Sequence, residues 1–120
     1  MATEIVKIIR RSETRKTPRV YLAGPMRGCE RFNYPLFERT AANLRSQGFF
    51  VVNPTEVSAL MGTPDEIDAD AKILERLFEA DIALLRTCDA IALLPGWERS
   101  AGAKRELTAA IEAGLDIVRL

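Results

Sequence analysis

Three short apolar runs, each stopped by a proline turn, and a fourth near the end of the chain constrain this sequence more than any other feature. Arg19 to Ala23 (RVYLA) runs into Gly24-Pro25, Phe49 to Val52 into Asn53-Pro54, and Ala90 to Leu94 into Pro95-Gly96, while Leu115 to Arg119 lies close to the end. Runs of four or five apolar residues bounded by such turns read as buried strands. Between them the apolar period changes to that of a helix. Leu36, Phe37, Ala41 and Leu44 recur at helical spacing from Tyr34 or Pro35 to Gln47, with Gly48 placed as a C-terminal cap. Thr63-Pro64-Asp65-Glu66 has the cap, proline and acidic first turn of a helix start, and that helix is expected to continue, with room for a break, to Thr87. Ser100 to Ala113 is a further helix closed by Gly114, and Thr55 to Pro64 reads as a loop with at most one helical turn.

Strands that alternate with helices and are apolar throughout imply a parallel sheet covered on both faces. The expected fold is therefore a single-domain, doubly wound, flavodoxin- or Rossmann-like α/β protein with four to five mostly parallel strands. A chain of 120 residues, 48% of them hydrophobic, is long enough for one such core and too short for two. Residues 1–18 stand outside the pattern. They form a basic arm carrying Lys7, Arg10, Arg11, Arg15 and Lys16, in which Glu4 to Arg10 is compatible with an extra strand or a short helix. A solvated arm is the simpler reading of that charge, and a nucleic-acid contact the less favoured one.

Charge and residue types narrow the chemistry. Seventeen basic and seventeen acidic residues cancel, so no global field draws the chain to nucleic acid or an anionic membrane. No run approaches the roughly 18 apolar residues of a membrane span, and the N-terminus lacks the apolar block of a signal peptide. A cytoplasmic, soluble protein is expected. There is no histidine, and the two cysteines, Cys29 and Cys88, have no metal-ligand spacing. Histidine triads and histidine-based zinc sites are excluded, no metal or cofactor is expected, and acid–base work falls to Asp, Glu, Tyr, Cys or Lys. Cys29 lacks a histidine to activate it and reads as a small side chain.

Right-handed crossovers bring the C-terminal ends of the strands to one edge of the sheet, where such folds bind ligands. Three loops meet there: Gly24-Pro25-Met26-Arg27-Gly28, Asn53-Pro54-Thr55, and Pro95-Gly96-Trp97-Glu98-Arg99-Ser100. They offer exposed amides, an arginine, a tryptophan face and a hydroxyl, a set suited to an aromatic base with a sugar phosphate. The helix from Ser100 presents its free N–H groups and positive dipole end around Gly102 and Ala103, which suits an anion. GPMRG is not a dinucleotide fingerprint, and no Walker lysine follows it.

YLAGPM, a helix with Asn33 and Phe37, VVNP, and above all LLPGWERSAGAKRE resemble the nucleoside 2-deoxyribosyltransferase-like superfamily, in particular its small phage and bacterial branch. The resemblance runs from about Arg19 to Leu120. It implies cleavage of the N-glycosidic bond of a (deoxy)nucleoside or its 5′-monophosphate, by hydrolysis or by transfer to a second base, without a cofactor and in a homo-oligomer. Carried over residue by residue, it makes Glu106 the nucleophile and Asp81, roughly two dozen positions earlier, the group that holds or protonates the departing base. It makes Tyr21 the residue that orients the nucleophile. Where the transferases have an aspartate six positions before the nucleophile this chain has Ser100, as in the monophosphate hydrolases, where a serine helps to bind the phosphate. The substrate-binding set is then Gly24, Pro25, Met26, Arg27, Asn53, Pro54, Gly96, Trp97, Ser100 and Gly102. Superfamily enzymes also draw a polar residue from a neighbouring subunit, on a segment beyond the last strand. The chain given ends at Leu120, so another loop is expected in that part, or a more open site.

Each assignment has a plainer reading. Glu106 shares its helix with Lys104, Arg105 and Glu112 and could belong to a solvated face; Asp81 could cap a helix or pair with Arg86. Tyr21 could be a core aromatic, Trp97 a partner-facing surface residue, and Arg27 and Arg99 surface charges. Asp89, at the start of a strand, reads as a turn residue. The rival to an enzyme is a non-catalytic nucleotide-binding or interaction module with the same pocket. Geometry separates the two, since catalysis needs Glu106 turned inward beside Asp81.

Overall fold

The computed structural model describes residues 17–120. The arm up to Lys16, with Glu4 to Arg10, lies outside the described residues. Four strands form one sheet: β1 (Arg19–Ala23), β2 (Phe50–Val52), β3 (Ala90–Leu93) and β4 (Asp116–Arg119). Five α-helices cover it: α1 (Tyr34–Ser46), α2 (Pro54–Ala59), α3 (Pro64–Asp68), α4 (Ala71–Leu85) and α5 (Ala101–Glu112). Single 3₁₀ turns at Glu30–Asn33 and Trp97–Arg99 lead into α1 and α5.

All the pairings are parallel and the strand order is β2-β1-β3-β4. One row of the register runs Val52, Tyr21, Ile91, Ile117 across the sheet. Alternation along the strands divides the core into two layers. Val20, Leu22, Val51, Ala90, Ala92 and Val118 face α1 and its Phe37, Ala41 and Leu44. Tyr21, Ala23, Val52, Ile91 and Leu93 face the other way, onto Leu85 of α4 and Ala103 and Ala110 of α5. The doubly wound α/β fold expected from the strand pattern is the fold observed.

Two local signals acted more strongly than the sequence reading allowed. Asn53 caps a real helix, its Oδ1 accepting from the Thr55 N–H at 3.1 Å, with Pro54 preset for the first turn, so α2 replaces most of the expected loop. The long helix expected from Asp65 to Thr87 is two helices. Thr63 and Glu66 close a capping box on α3, and Asp70 starts a new helix by accepting from Lys72 N–H at 2.9 Å and Ile73 N–H at 3.3 Å. Asp89 does more than turn the chain. Its buried Oδ2 accepts from Arg19 N–H at 2.8 Å, and its own N–H donates to Arg19 C=O at 2.8 Å, so it fixes the start of β3 to the start of β1.

The chain winds from β1 outward to β2, then returns to the other side of β1 for β3. The loops after β1 and β3 therefore diverge, and the crevice between them is the switch point of the sheet. Gly24 and Gly96 shape it. A Cβ on Gly24 would stand 2.7 Å from Leu94 Cβ, and one on Gly96 would meet Pro25 Cγ at 3.3 Å and Arg99 Nη2 at 3.1 Å. Gly96 also has φ +87°, a left-handed conformation that favours glycine. The two loops touch at the floor of the crevice because neither position carries a side chain.

Gly24→Ala is expected to cost about 1–3 kcal/mol, since β1 and β3 are both paired and the overlap has no flexible end to yield. Gly102→Ala, whose new methyl meets only Ser100 Oγ in ordinary contact at 4.0 Å, is expected to be neutral or slightly stabilising. Urea unfolding of both, with unchanged m-values, checks the contrast.

Candidate active site

Tyr21 sits in the middle of β1, fully buried, and alternation turns its ring toward α4 and α5. Its hydroxyl donates a short hydrogen bond to Glu106 Oε2. Glu106 is on the inner face of α5 with Ala103 and Ala110, and is 8% exposed. Asp81 is on the inner face of α4 with Leu77 and Leu85, also 8% exposed, and its Oδ1 is buried without a hydrogen-bond partner. Glu106 is thus not on a solvated helix face, and Asp81 is neither a cap nor an ion-pair partner of Arg86. Three groups from β1, α4 and α5, far apart in the chain, converge in one otherwise apolar layer.

Their electrostatics follow from that burial. Taking a carboxylate out of water disfavours its charged form. Burial raises Asp81 from its ordinary value to about 7. Glu106 rises to about 8, through burial first; the Tyr21 hydroxyl opposes the rise and the Asp81 charge adds to it. Tyr21 itself is pushed well above the ordinary phenol range by burial, then by Glu106 and Asp81. Two carboxyls that sense each other titrate as a pair. Near neutral pH the pair keeps at least one proton in a place where two ordinary carboxyls would have lost both.

The other expected site residues divide into three groups. Gly24, Pro25 and Gly96 form the crevice floor, and Asn33, in a left-handed turn, donates from Nδ2 to Pro25 C=O at 2.9 Å. Trp97 is half-buried against the layer that contains Tyr21. Ser100 Oγ accepts from Ala103 N–H at 3.1 Å as the cap of α5, and a Cβ on Gly102 would stand 4.0 Å from that Oγ. Arg27 is instead held in an exposed ion pair with Asp68 at 2.6 Å, and Met26 packs into the α1 layer. Asn53 and Pro54 are buried in the start of α2, with Asn53 Nδ2 lacking a partner. Cys29 is half-buried and Cys88 is buried, its Sγ donating to Leu84 C=O at 3.5 Å. Among the described residues no group of three or more acidic or thiol side chains is gathered closely enough to hold a metal ion. Nor is any helix there long and apolar enough to cross a membrane.

One contact beside the pair was not foreseen. The Arg105 guanidinium lies over the Phe78 ring, 3.7 Å from its centroid, joining α5 to α4. Arg105 reads in the sequence as part of a charged helix face, and no local spacing marks a partner 27 residues earlier.

The parallel order, the switch-point crevice and the two helical layers place the chain among flavodoxin- or Rossmann-like doubly wound proteins. Within that class it belongs to the family described as "Domain of unknown function (DUF4406)", which matches residues 18–119. No match to the chain is found among curated proteins.

The raised carboxyls make stability depend on pH with a definite sign. Between the ordinary carboxyl range and about pH 8 the folded pair holds more protons than the same groups in the unfolded chain, so stability falls as pH rises through that window. The slope approaches about 1.4 kcal/mol per pH unit for each retained proton. Urea titrations from pH 5 to 8.5 are expected to show this loss in the wild type and about half the slope in Glu106→Gln. A flat wild-type profile would mean that neither carboxyl is held protonated by the fold.

Proposed function

We propose that this protein cleaves the N-glycosidic bond of a (deoxy)nucleoside 5′-monophosphate, with Glu106 as nucleophile, Asp81 as proton donor and Tyr21 as the group that orients Glu106. The reading also takes the chain as a relative of the nucleoside 2-deoxyribosyltransferase-like superfamily. The observation that carries it is the inward-facing carboxyl pair at Asp81 and Glu106, one member held by the buried Tyr21 hydroxyl. A pair confined by burial can hold one proton and one charge at neutral pH, which is what cleavage of a glycosidic bond requires.

The sequence of steps balances with these groups alone. The Glu106 carboxylate forms a bond to C1′ on the face opposite the base as the C1′–N bond breaks. The electron pair of that bond goes to the base nitrogen, and the proton of Asp81 goes to the base. Water then attacks C1′, the electrons of the ester bond return to Glu106, and a proton from the water restores Asp81. Positive charge at C1′ favours ionised Glu106 in the transition state, and the Tyr21 hydrogen bond acts in the same direction. A proton donor for a poor leaving group contributes about 10²–10⁴-fold.

The seat for the phosphate is supported by the start of α5. The Ser100 hydroxyl is spent on the Ala103 N–H, and the earlier N–H groups of a helix have no acceptor within it. A Cβ on Gly102 would meet only Ser100 Oγ, at 4.0 Å, so the backbone there is approachable by an anion. Trp97 is the wall offered to the base. Arg27, engaged with Asp68, is not assigned to the phosphate.

The test is chromatographic detection of free base from a panel of ribo- and deoxyribonucleoside monophosphates and nucleosides, with Glu106→Ala in parallel. Release by the wild type and a loss of about 10³-fold or more in the variant is expected. The working form carries the single proton on Asp81, whereas burial favours it on Glu106 (about 8 against about 7), so the substrate has to draw the charge onto Glu106. With one proton on the pair, kcat/KM is expected to be bell-shaped around neutral pH. No release from any panel member at high enzyme would leave the non-catalytic binding module as the reading of the same pocket.

A further inference from the structure

Asp81 and Glu106 approach from different helices, and they are held very differently. Glu106 is fixed by Tyr21 of the central strand. Asp81 Oδ1 has no hydrogen-bond partner, so its place relative to Glu106 depends on how α4 lies against α5. The Arg105 guanidinium over the Phe78 ring joins the two helices across that seam, beside the apolar packing of Leu85 on Ala103 and Ala110. Phe78 precedes Asp81 by three residues, which puts it one turn away on the same side of α4. Arg105 is the residue before Glu106. The guanidinium is exposed and the ring half-buried, so the pair of side chains closes the seam between solvent and the buried layer.

The charge of Arg105 is not what sets the carboxyls. Burial alone shifts Asp81, and Glu106 responds to burial, to Tyr21 and to Asp81. Those are the titratable groups that act on the pair from β1, α4 and α5. A cation adjacent in sequence to Glu106 is spent on an aromatic face instead of an ion pair with either carboxyl.

We infer that the Phe78–Arg105 stack is a clasp across α4 and α5, a positioning contact that holds Asp81 against Glu106 and keeps water from both carboxyls. The inference rests on reading Asp81 and Glu106 as the working pair, but its test needs no turnover. The carboxyl carbons of Asp and Glu are labelled with ¹³C, and the pair is titrated by NMR in the intact, ligand-free protein. Phe78→Leu changes no charge and opens the clasp, so both apparent pKa values are expected to fall by about one pH unit or more. Phe78→Trp keeps an aromatic face for Arg105 and is expected to stay near the wild type.

Arg105→Ala, on an exposed residue, secures the test if Phe78→Leu does not fold. Loss of the cation by itself would raise the two values, whereas opening the seam lowers them, and a fall is expected. Leu44→Val, in the layer on the opposite side of the sheet, is the comparison. Unmoved or raised values in the folded clasp variants, or the same fall in Leu44→Val, would overturn the clasp. Failure of the wild type to release any base would overturn the glycosidase reading and leave the titration result standing.

Discussion

Everything distinctive about this protein depends on the hydrogen bond between the Tyr21 hydroxyl and Glu106. It runs from the middle of the central strand to the inner face of the last helix, through a layer whose buried side chains, Asp81 apart, are Ala, Leu, Ile, Val and Cys88. A buried carboxyl without such a donor would face the full cost of desolvation. With the bond in place, Glu106 can be buried on α5 in a defined orientation. Tyr21 in turn needs β1 at the centre, with β3 and β2 on either side and α4 and α5 on one face. The site is thus an outcome of the winding order and not an attachment to it.

The same order explains why the crevice has its shape. β1 and β3 are adjacent, yet their outgoing loops lead to opposite faces, toward α1 and α5 respectively. Gly24 lets β1 end hard against Leu94, and Gly96 lets the third loop reach Pro25. At the opposite end of the sheet Asp89 ties the same two strands together at their starts. The central pair of strands is therefore fixed at both ends, which confines freedom at the site to the helices that carry Asp81 and Glu106. Asp81, with an oxygen that has no hydrogen-bond partner, has the fewest constraints of the three polar groups.

Much of this was legible in the residues. The four strands and the principal helices come from apolar runs and proline or glycine punctuation, local signals that tertiary packing had no reason to override. The ends of the elements follow caps: Ser100 for α5, Thr63 with Glu66 for α3. The break at Asp70 was only half legible, because helical periodicity continues across it while the cap interrupts it. Asn53-Pro54 carried a helix start that reads equally as a turn. The inward aim of Glu106 was legible only through the resemblance, since Lys104, Arg105 and Glu112 on the same helix favour a solvated face. Once the helix is laid on the sheet, Ala103, Glu106 and Ala110 define the buried stripe, and the neighbours do not. Phe78–Arg105 and Arg27–Asp68 were out of reach, because each joins elements whose relative position is a property of the whole fold.

Two carboxyls buried beside one another work against the fold that contains them. Replaced by apolar residues of similar volume, they would leave a more conventional layer and a more stable protein at neutral pH. The sheet edges show where the chain does tolerate exposure, with Phe50 of β2 under the Arg19 guanidinium and Ile117 of β4 half-open. The interior shows the reverse, polar groups where packing alone would prefer none. The stability spent there appears as two carboxyls whose hold on protons is raised by burial. A ligand that engages the unpartnered Asp81 oxygen would remove part of that penalty on binding, so burial that costs the fold becomes energy available to the complex. That coupling between an unpartnered Asp81 oxygen and a ligand is the physical reason to look for function at Asp81 and Glu106 before any other place on the molecule.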